Sequence, residues 1–169
     1  MTMSPHVRRL RAALGSDLLV LPSVTGIVFD DRDRILLVRQ ADSGDWTPPG
    51  GSIDPGENPS DAVVREVWEE TGLCTEPVRV LGVYGGPACR VIYPNGDQTE
   101  YVMTAFECEV RGGALRSVSD ETTESAFVGA EDLSRFRTSA WVQHVLPGLY
   151  DRSRTAHFAP PVWRPPQGR

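Results

Sequence analysis

The sequence contains no lysine, and all 17 of its basic residues are arginine. The protein therefore lacks the amine used by Schiff-base enzymes and the lysine that binds phosphate in a P-loop. Cysteine is also scarce, because Cys74, Cys89 and Cys108 are far apart and form no CxxC pair. This spacing supports neither a zinc site nor a disulfide framework, so we expect free thiols in a reducing cytosol.

Long apolar runs and excess positive charge are missing as well. The apolar run at residues 18–21 is too short to span a bilayer and directly follows Asp17. We therefore predict no membrane span and a cytoplasmic location. The formal net charge of −6 argues against sequence-independent DNA binding, which requires a basic face. Small anionic substrates are compatible with this charge, because bound metal ions can reverse the local field.

The length and composition predict one domain. The chain has 169 residues, of which 40% are hydrophobic, and this is enough for a domain with its own core. Residues 1–21 are predicted to form a helix that leads into the domain, and residues 22–150 to form the domain itself. Residues 151–169 are rich in proline and arginine and are predicted to be a loosely ordered tail.

Apolar periodicity and turn residues predict a mixture of strands and helices. A hairpin is expected from residues 24–30 and 35–39, followed by a loop over residues 42–56. The Asn-Pro pair at residues 58–59 is typical of a helix start, and Gly72 of a helix end. Further expected elements are strands at residues 78–84, 89–93, 101–110 and 125–128 and a helix at residues 138–146. Together they predict an α+β fold with helices on the faces of a mixed, largely antiparallel sheet.

The first predicted helix of the domain carries three glutamates, Glu66, Glu69 and Glu70. Residues three and four apart share a helix face, so the three carboxylates project from about one turn. Such a group is an ordinary solvated face in most helices, but close like charges repel unless a cation lies among them. A hard divalent cation such as Mg²⁺ prefers oxygen ligands and is therefore the natural partner.

The residues around this helix favour the metal site over the solvated face. Gly50 and Gly51 precede the helix, and glycines permit a backbone carbonyl to approach a ligand closely. The Glu57 carboxylate can pair with Arg65, and Arg65 can in turn hold Glu66 in one orientation. A cluster of this kind suits phosphoryl transfer, which requires mainly positioning and electrostatic stabilisation from the protein.

Residues 51–73 match the pattern G-x5-E-x7-R-E-U-x-E-E-x-G-U at every specified position, where U is an aliphatic residue. This pattern is the Nudix box, and the chain therefore resembles the Nudix hydrolases. The resemblance implies an α/β/α sandwich across about residues 20–150. It also implies hydrolysis of nucleoside diphosphates linked to another group, by attack of water on a diphosphate phosphorus. The leading helix and the tail lie outside the resemblance.

The resemblance also implies a divalent cation cofactor, Mg²⁺ or Mn²⁺. Its ligands would be the carboxylates of Glu66, Glu69 and Glu70, together with the backbone carbonyl of Gly50. The number of metal ions is left open.

The resemblance further implies the roles of the remaining box residues. Glu66 would be a candidate general base, and Arg65 and Glu57 would orient the carboxylates. Many family members use a further glutamate from a later loop, and here Glu121 and Glu124 are the candidates. Glu121 is slightly preferred, because Glu124 directly precedes the predicted strand at residues 125–128 and can be part of it. The expected catalytic set is therefore Arg65, Glu66, Glu69 and Glu121.

Residues outside the box are candidates for substrate binding. Trp46, Tyr84 and Tyr93 can stack on a nucleobase, although such aromatic residues more often pack in a core or on a surface. Arg39 and Arg90 can contact phosphates, although exposed arginines are the commoner case. These residues leave the identity of the substrate open.

Three functions are compatible with the sequence. The leading hypothesis is a metal-dependent pyrophosphohydrolase that acts on an ADP-ribose-like nucleoside diphosphate derivative or on a nucleoside triphosphate. A module that senses a nucleotide without cleaving it is the alternative from another class, and the intact box argues against it. The third is hydrolysis at the 5′ end of RNA. The negative net charge of the chain argues against this function, because RNA-binding proteins usually carry a basic surface. The resemblance also makes a homodimer plausible.

Overall fold

The computed structural model describes residues 4–93, 95–116 and 121–165. The helices within these ranges are α1 (Pro5–Leu14), α2 (Pro59–Thr71) and α3 (Ala140–Leu149). The strands are β1 (Leu19–Ile27), β2 (Ile35–Gln40), β3 (Trp46–Thr47), β4 (Gly50–Ser52), β5 (Leu73–Tyr84), β6 (Arg90–Ile92), β7 (Gln98–Gly113) and β8 (Thr122–Val128). Among the described residues, none of these helices has the length and apolar composition needed to cross a bilayer.

The strands form two sheets. The larger sheet has the order β4-β1-β7-β5, with β6 also paired to β7, and the smaller sheet has the order β3-β2-β8. The β1–β7 pair is parallel and all other strand pairs are antiparallel. The prediction of an α+β fold with mixed, largely antiparallel strands is therefore confirmed, although the strands divide between two sheets.

The predicted hairpin of residues 24–30 and 35–39 is present only beside its turn. Phe29, after the end of β1, forms an antiparallel bridge with Ile35, and Leu36 N donates to Val28 O at 2.9 Å, but β1 and β2 themselves belong to different sheets. β1 instead pairs with β7 along its whole length, from Leu19 opposite Thr99 to Ile27 opposite Glu107. A partner that lies so far along the chain leaves no local signal in the turn between β1 and β2.

The sheets lie between α2 and α3, which gives the predicted α/β/α sandwich. The side chains of β2 alternate between the two helical layers, as strand geometry requires. Leu36 packs in the cluster that contains Val63 and Val67 of α2. Ile35 and Leu37 pack in the opposite cluster with residues of α3. Burial on both faces explains why β2 is an uninterrupted apolar run.

The predicted leading helix is too long. α1 ends at Leu14 and is followed by Gly15, whose φ of 61° lies in the left-handed region that favours glycine. The segment that follows belongs to β1, because Leu19 and Leu21 are buried while Val20 between them is exposed. This alternation is a strand pattern. Residues 1–3 of the predicted helix lie outside the described residues.

The predicted loop over residues 42–56 contains two short strands. β4 adds Gly50–Ser52 to the edge of β1, and Gly50 lies opposite Thr25. The glycine is required for this close pairing, because a Cβ at Gly50 would lie 2.3 Å from the Val24 carbonyl oxygen. β4 thus brings the two glycines beneath α2.

The predicted loose tail is ordered over its first part. The backbone of His157 donates to Leu81 O at 2.9 Å and accepts from Val83 N at 2.9 Å, so the tail extends the edge of β5. Arg152 bonds the buried Glu107 at 2.6 Å and Asp33 at 2.8 Å. These contacts hold the tail on the sheet, whereas residues 166–169 lie outside the described residues. The division at residue 150 remains a prediction.

Replacing Arg152 with alanine is expected to lower the free energy of unfolding by about 1–2 kcal/mol, because Glu107 loses one of its two arginine partners. Arg135→Ala is the matched control, since Arg135 is 78% exposed and pairs only within its own turn with Asp132. Chemical denaturation of both variants measures the difference. Equal midpoints for the two variants would show that Arg152 does not hold the tail.

Candidate active site

Helix α2 positions the acidic residues over the sheet. It begins after Asn58 with Pro59 in its first turn, and it ends before Gly72, whose φ is 76°. Both ends agree with the sequence prediction, because cap residues are local signals. Val63 and Val67 of the helix pack in the core, whereas Trp68 beside them is 45% exposed.

Arg65 is the centre of the carboxylate cluster. Its Nε and Nη2 donate to the two oxygens of Glu57 at 2.8 and 2.9 Å, which is a bidentate pair. Its Nη1 donates to Glu66 Oε1 at 2.7 Å and to Glu69 Oε2 at 3.1 Å. The Arg65 guanidinium lowers the pKa of Glu57 by hydrogen bonding to it. The pairing of Arg65 with Glu57 and Glu66 expected from the sequence is therefore present.

Glu66 is a buried carboxylate beside other negative charges. Its side chain is 12% exposed. Its pKa is raised to about 6, chiefly by burial and also by the charges of Glu69 and Glu121, while the Arg65 guanidinium opposes the rise. The position of Glu66 also depends on Gly51, because a Cβ at Gly51 would lie 2.4 Å from Glu66 Oε1.

Glu70 points toward β4 and away from Arg65. Its Oε2 accepts from Gly50 N at 3.0 Å, and its Oε1 accepts from Gln40 Nε2 at 3.3 Å. The residue is only 3% exposed, and burial raises its pKa to about 8, with a further contribution from the charge of Glu66. Glu70 is thus a carboxylate whose charge is poorly compensated by its present neighbours.

The cluster fits a divalent cation in its chemistry but is not arranged around one. Within residues 4–93, 95–116 and 121–165, no three His, Cys, Asp or Glu side chains already form a metal-binding group. Arg65 holds Glu66 and Glu69, while the backbone N–H of Gly50 holds Glu70. The donors are nevertheless all carboxylate oxygens, which suit Mg²⁺ or Mn²⁺. Two of them have raised pKa values that a cation would lower.

A cleft with a volume of about 370 Å³ opens beside the cluster. Glu66, Glu69 and Glu121 line it together. Glu124 lies outside the lining and pairs with Arg39 at 2.6 Å on the surface. The geometry therefore favours Glu121 over Glu124 as the further acidic residue, which was the preference drawn from the sequence.

Four predicted substrate-binding residues lie elsewhere in the structure. Arg39 and Arg90 form surface ion pairs, Arg39 with Glu124 and Arg90 with Glu100 at 2.8 Å. Trp46 packs edge-on against Phe136, with 5.1 Å between ring centroids, and Tyr84 stacks on His157 at 5.0 Å. Each side chain is engaged in packing or ion pairing outside the cleft lining, so the geometry does not support these four assignments, and they stay predictions from the sequence.

Sequence reasoning missed part of the cleft wall. Ser4, Val7 and Arg11 of the leading segment line the cleft, as do Thr99 and Tyr101. Tyr93, a stacking candidate predicted from the sequence, lines the cleft with them. The Ser4-Pro5 helix start was visible in the sequence, and Ser4 Oγ accepts from Val7 N at 3.3 Å as an N-cap. Nothing local, however, indicated where α1 docks.

Replacing Gly51 with alanine is expected to reduce turnover by about 10- to 100-fold, because the new methyl group displaces the Glu66 carboxylate. The protein should remain folded, since the atoms that the methyl group meets are the movable end of a side chain. Gly112→Ala is the control, because a Cβ at Gly112 has no neighbour within 4 Å. Steady-state kinetics and thermal unfolding would measure both effects, and wild-type turnover in Gly51→Ala would contradict the prediction.

Several known proteins are similar to this chain in sequence or in fold. A MutT-like protein of Streptomyces ambofaciens is 32% identical over 127 residues, which is 75% of each chain. An ADP-ribose pyrophosphatase of Methanocaldococcus jannaschii is 33% identical over 117 residues, covering 67% of this chain and 64% of the relative. The crystal structure of an ADP-ribose pyrophosphatase from Streptococcus suis is 28% identical with a TM-score of 0.63, over 81% of this chain and 96% of that one.

A family model described as NUDIX domain matches residues 20–149, which is most of the chain. The match includes the box, both sheets and the helices α2 and α3. The chain therefore belongs to the NUDIX-domain family, and the sequence-based prediction of a Nudix pyrophosphohydrolase is confirmed.

Proposed function

We propose that the protein hydrolyses the diphosphate linkage of a nucleoside diphosphate derivative such as ADP-ribose, in a reaction that requires Mg²⁺ or Mn²⁺. The observation that carries this proposal is the Arg65-centred cluster, which presents Glu66 and Glu69 to an open cleft also lined by Glu121. Two of the similar proteins bear the name ADP-ribose pyrophosphatase, which supports this substrate class.

The residues proposed to hold the cation are Glu66, Glu69 and Glu70, with the Gly50 carbonyl as a further ligand. When bound, the cation neutralises phosphate oxygens and lowers the pKa of a coordinated water. Glu66 and Glu69 would hold the cation through carboxylate oxygens, which here accept from Arg65 Nη1. The Arg65–Glu57 pair uses different guanidinium nitrogens and would stay in place.

The proton of the attacking water requires an acceptor within the cleft. Glu66 is suited to this role, because it lines the cleft and Arg65 Nη1 fixes the orientation of its carboxylate. Glu121 is the second candidate, since it lines the same cleft. Arg65 keeps its proton throughout and orients Glu66, because the neighbouring carboxylates raise its pKa further above neutrality.

A substrate panel tests the proposal. ADP-ribose, a nucleoside triphosphate and a 5′-triphosphorylated RNA are each incubated with the protein and Mg²⁺ or Mn²⁺, and the products are separated by chromatography. We expect AMP and ribose 5-phosphate from ADP-ribose. Tight nucleotide binding without any product would favour the sensing module. Release of phosphate or pyrophosphate from the RNA, with no product from the other two compounds, would favour 5′-end hydrolysis.

A homodimer and a cytoplasmic location also remain predictions from the sequence. Sedimentation of the purified protein would test the dimer directly, and fractionation of the source cells would test the location.

A further inference from the structure

Helix α1 forms part of the active-site cleft although it precedes the region matched by the family model, which begins at residue 20. Ser4 and Val7 line the same cleft as Glu66 and Glu69. Tyr93 and Asn95, which lie between β6 and β7, line the cleft as well. Ser4, Val7, Tyr93 and Asn95 are called the wall of the cleft below. The catalytic cluster and α1 therefore face one common space.

A single buried arginine joins α1 to the start of β7. Arg11 Nη2 donates to Gln98 O at 2.7 Å and to Thr99 Oγ1 at 2.8 Å, while Nη1 donates to Asp17 O at 2.7 Å and Gly15 O at 3.2 Å. The remaining nitrogen, Nε, lies 3.6 Å from the Asp97 carboxylate. Arg11 is 9% exposed, both of its Nη groups donate to the protein, and its Nε faces the Asp97 carboxylate as an ion pair, so the guanidinium mainly fixes the wall.

The tyrosines of this wall are neutral hydrogen-bonding groups. The hydroxyls of Tyr93 and Tyr101 lie 2.8 Å apart, and burial raises the pKa of both phenols, so they stay protonated at neutral pH. The cleft lining also includes the hydroxyl of Ser4, the methyl groups of Val7 and the amide of Asn95, together with the carboxylates of Asp42 and Asp97. These groups suit the hydroxyls and the ring of an uncharged sugar or nucleoside.

We propose that α1 and the β6–β7 segment form the subsite for the uncharged organic group of the substrate, and that Arg11 is the positioning residue that holds this wall in place. The proposal rests on the hydrolase function proposed above and specifies its substrate class. The wall offers neutral hydrogen-bonding groups, the carboxylates of Asp42 and Asp97 lie in the same cleft lining, and Arg11 is already paired. The subsite therefore selects a diphosphate that carries a sugar or nucleoside over one that carries additional phosphate, which these carboxylates would repel.

Two variants test the subsite on the full chain with ADP-ribose as the probe. Arg11→Ala removes the hydrogen bonds that hold α1 to the start of β7, and it is expected to raise KM by about tenfold while kcat stays within about twofold. Val7→Trp narrows the cleft and removes none of the groups that bond Arg11, and it is expected to raise KM by a similar or larger factor. Arg11→Lys, which keeps the charge but not the planar fork, should give an intermediate KM. Arg9→Ala is the matched control, because Arg9 is exposed on the same helix.

Calorimetric binding of ADP-ribose in EDTA separates the subsite from the reaction. The wild-type protein should bind, and both Arg11→Ala and Val7→Trp should bind about tenfold more weakly while their thermal unfolding shows a folded domain. The subsite is disproved if the wild type does not bind, or if both variants retain its affinity and KM. Absence of products from every compound in the substrate panel, with these affinity losses present, would instead disprove the hydrolase function alone.

Discussion

Glu66→Gln is expected to reduce kcat by about 10²- to 10⁴-fold while the domain remains folded. Glutamine has nearly the same shape as glutamate and can still accept from Arg65, but it cannot accept the proton of the attacking water or supply a full negative charge. The free energy of unfolding should not fall, because the replaced carboxylate is buried and its pKa is raised by that burial. Steady-state rates and thermal unfolding of the purified variant measure the two quantities.

The matched control for this substitution is Glu76→Gln. Glu76 is 61% exposed and pairs with Arg111 on the surface, so the same chemical change there should leave kcat unaltered. A Glu66→Gln protein with wild-type kcat would remove Glu66 from the reaction. In that case Glu121→Gln becomes the decisive variant, because Glu121 is the other candidate base in the cleft.

The parts of this site that the sequence predicted are those set by local spacing. A helix from residue 59 to residue 71 follows from its cap residues, since an Asn-Pro start and a glycine end act within one turn. The Arg65–Glu57 pair follows from the spacing of the box, which reaches back from the helix to the loop just before it. No long-range information is needed for either feature.

The parts that the sequence did not predict depend on contacts between distant segments. The sequence suggested Arg39 as a phosphate ligand. In the structure β2 pairs with β8, and this register places Glu124 opposite Arg39, with which it forms an ion pair. Arg11 gave no signal, because the carbonyl of Gln98 that it binds belongs to a strand 87 residues away. The parallel pairing of β1 with β7 places Leu19 opposite Thr99 and so brings the start of β7 close to α1, where it buries Arg11. Composition and periodicity carry no information on such pairings.

Without divalent cations, the free energy of unfolding is expected to fall as the pH rises from about 5 to about 8. The pKa of Glu70 is raised from 4.5 to about 8 in the folded protein, so the folded state binds the proton more tightly than the unfolded chain. The stabilisation is complete below the unfolded pKa and is lost as the pH passes the folded one. Glu66 adds to the slope between 4.5 and about 6. The loss should reach about 2–4 kcal/mol, measured by chemical denaturation in EDTA.

Mg²⁺ and the Glu70→Gln variant identify the cause of this slope. The amide of glutamine does not titrate and can accept from Gly50 N, so the variant should lose most of the pH dependence in EDTA. Mg²⁺ should flatten the wild-type curve as well, because a bound cation favours the ionised carboxylates and stabilises only the folded state. Its stabilising effect should therefore be larger at pH 8 than at pH 5. Parallel curves for wild type and Glu70→Gln in EDTA, with no response of the wild type to Mg²⁺, would show that Glu70 neither titrates in this range nor meets a cation.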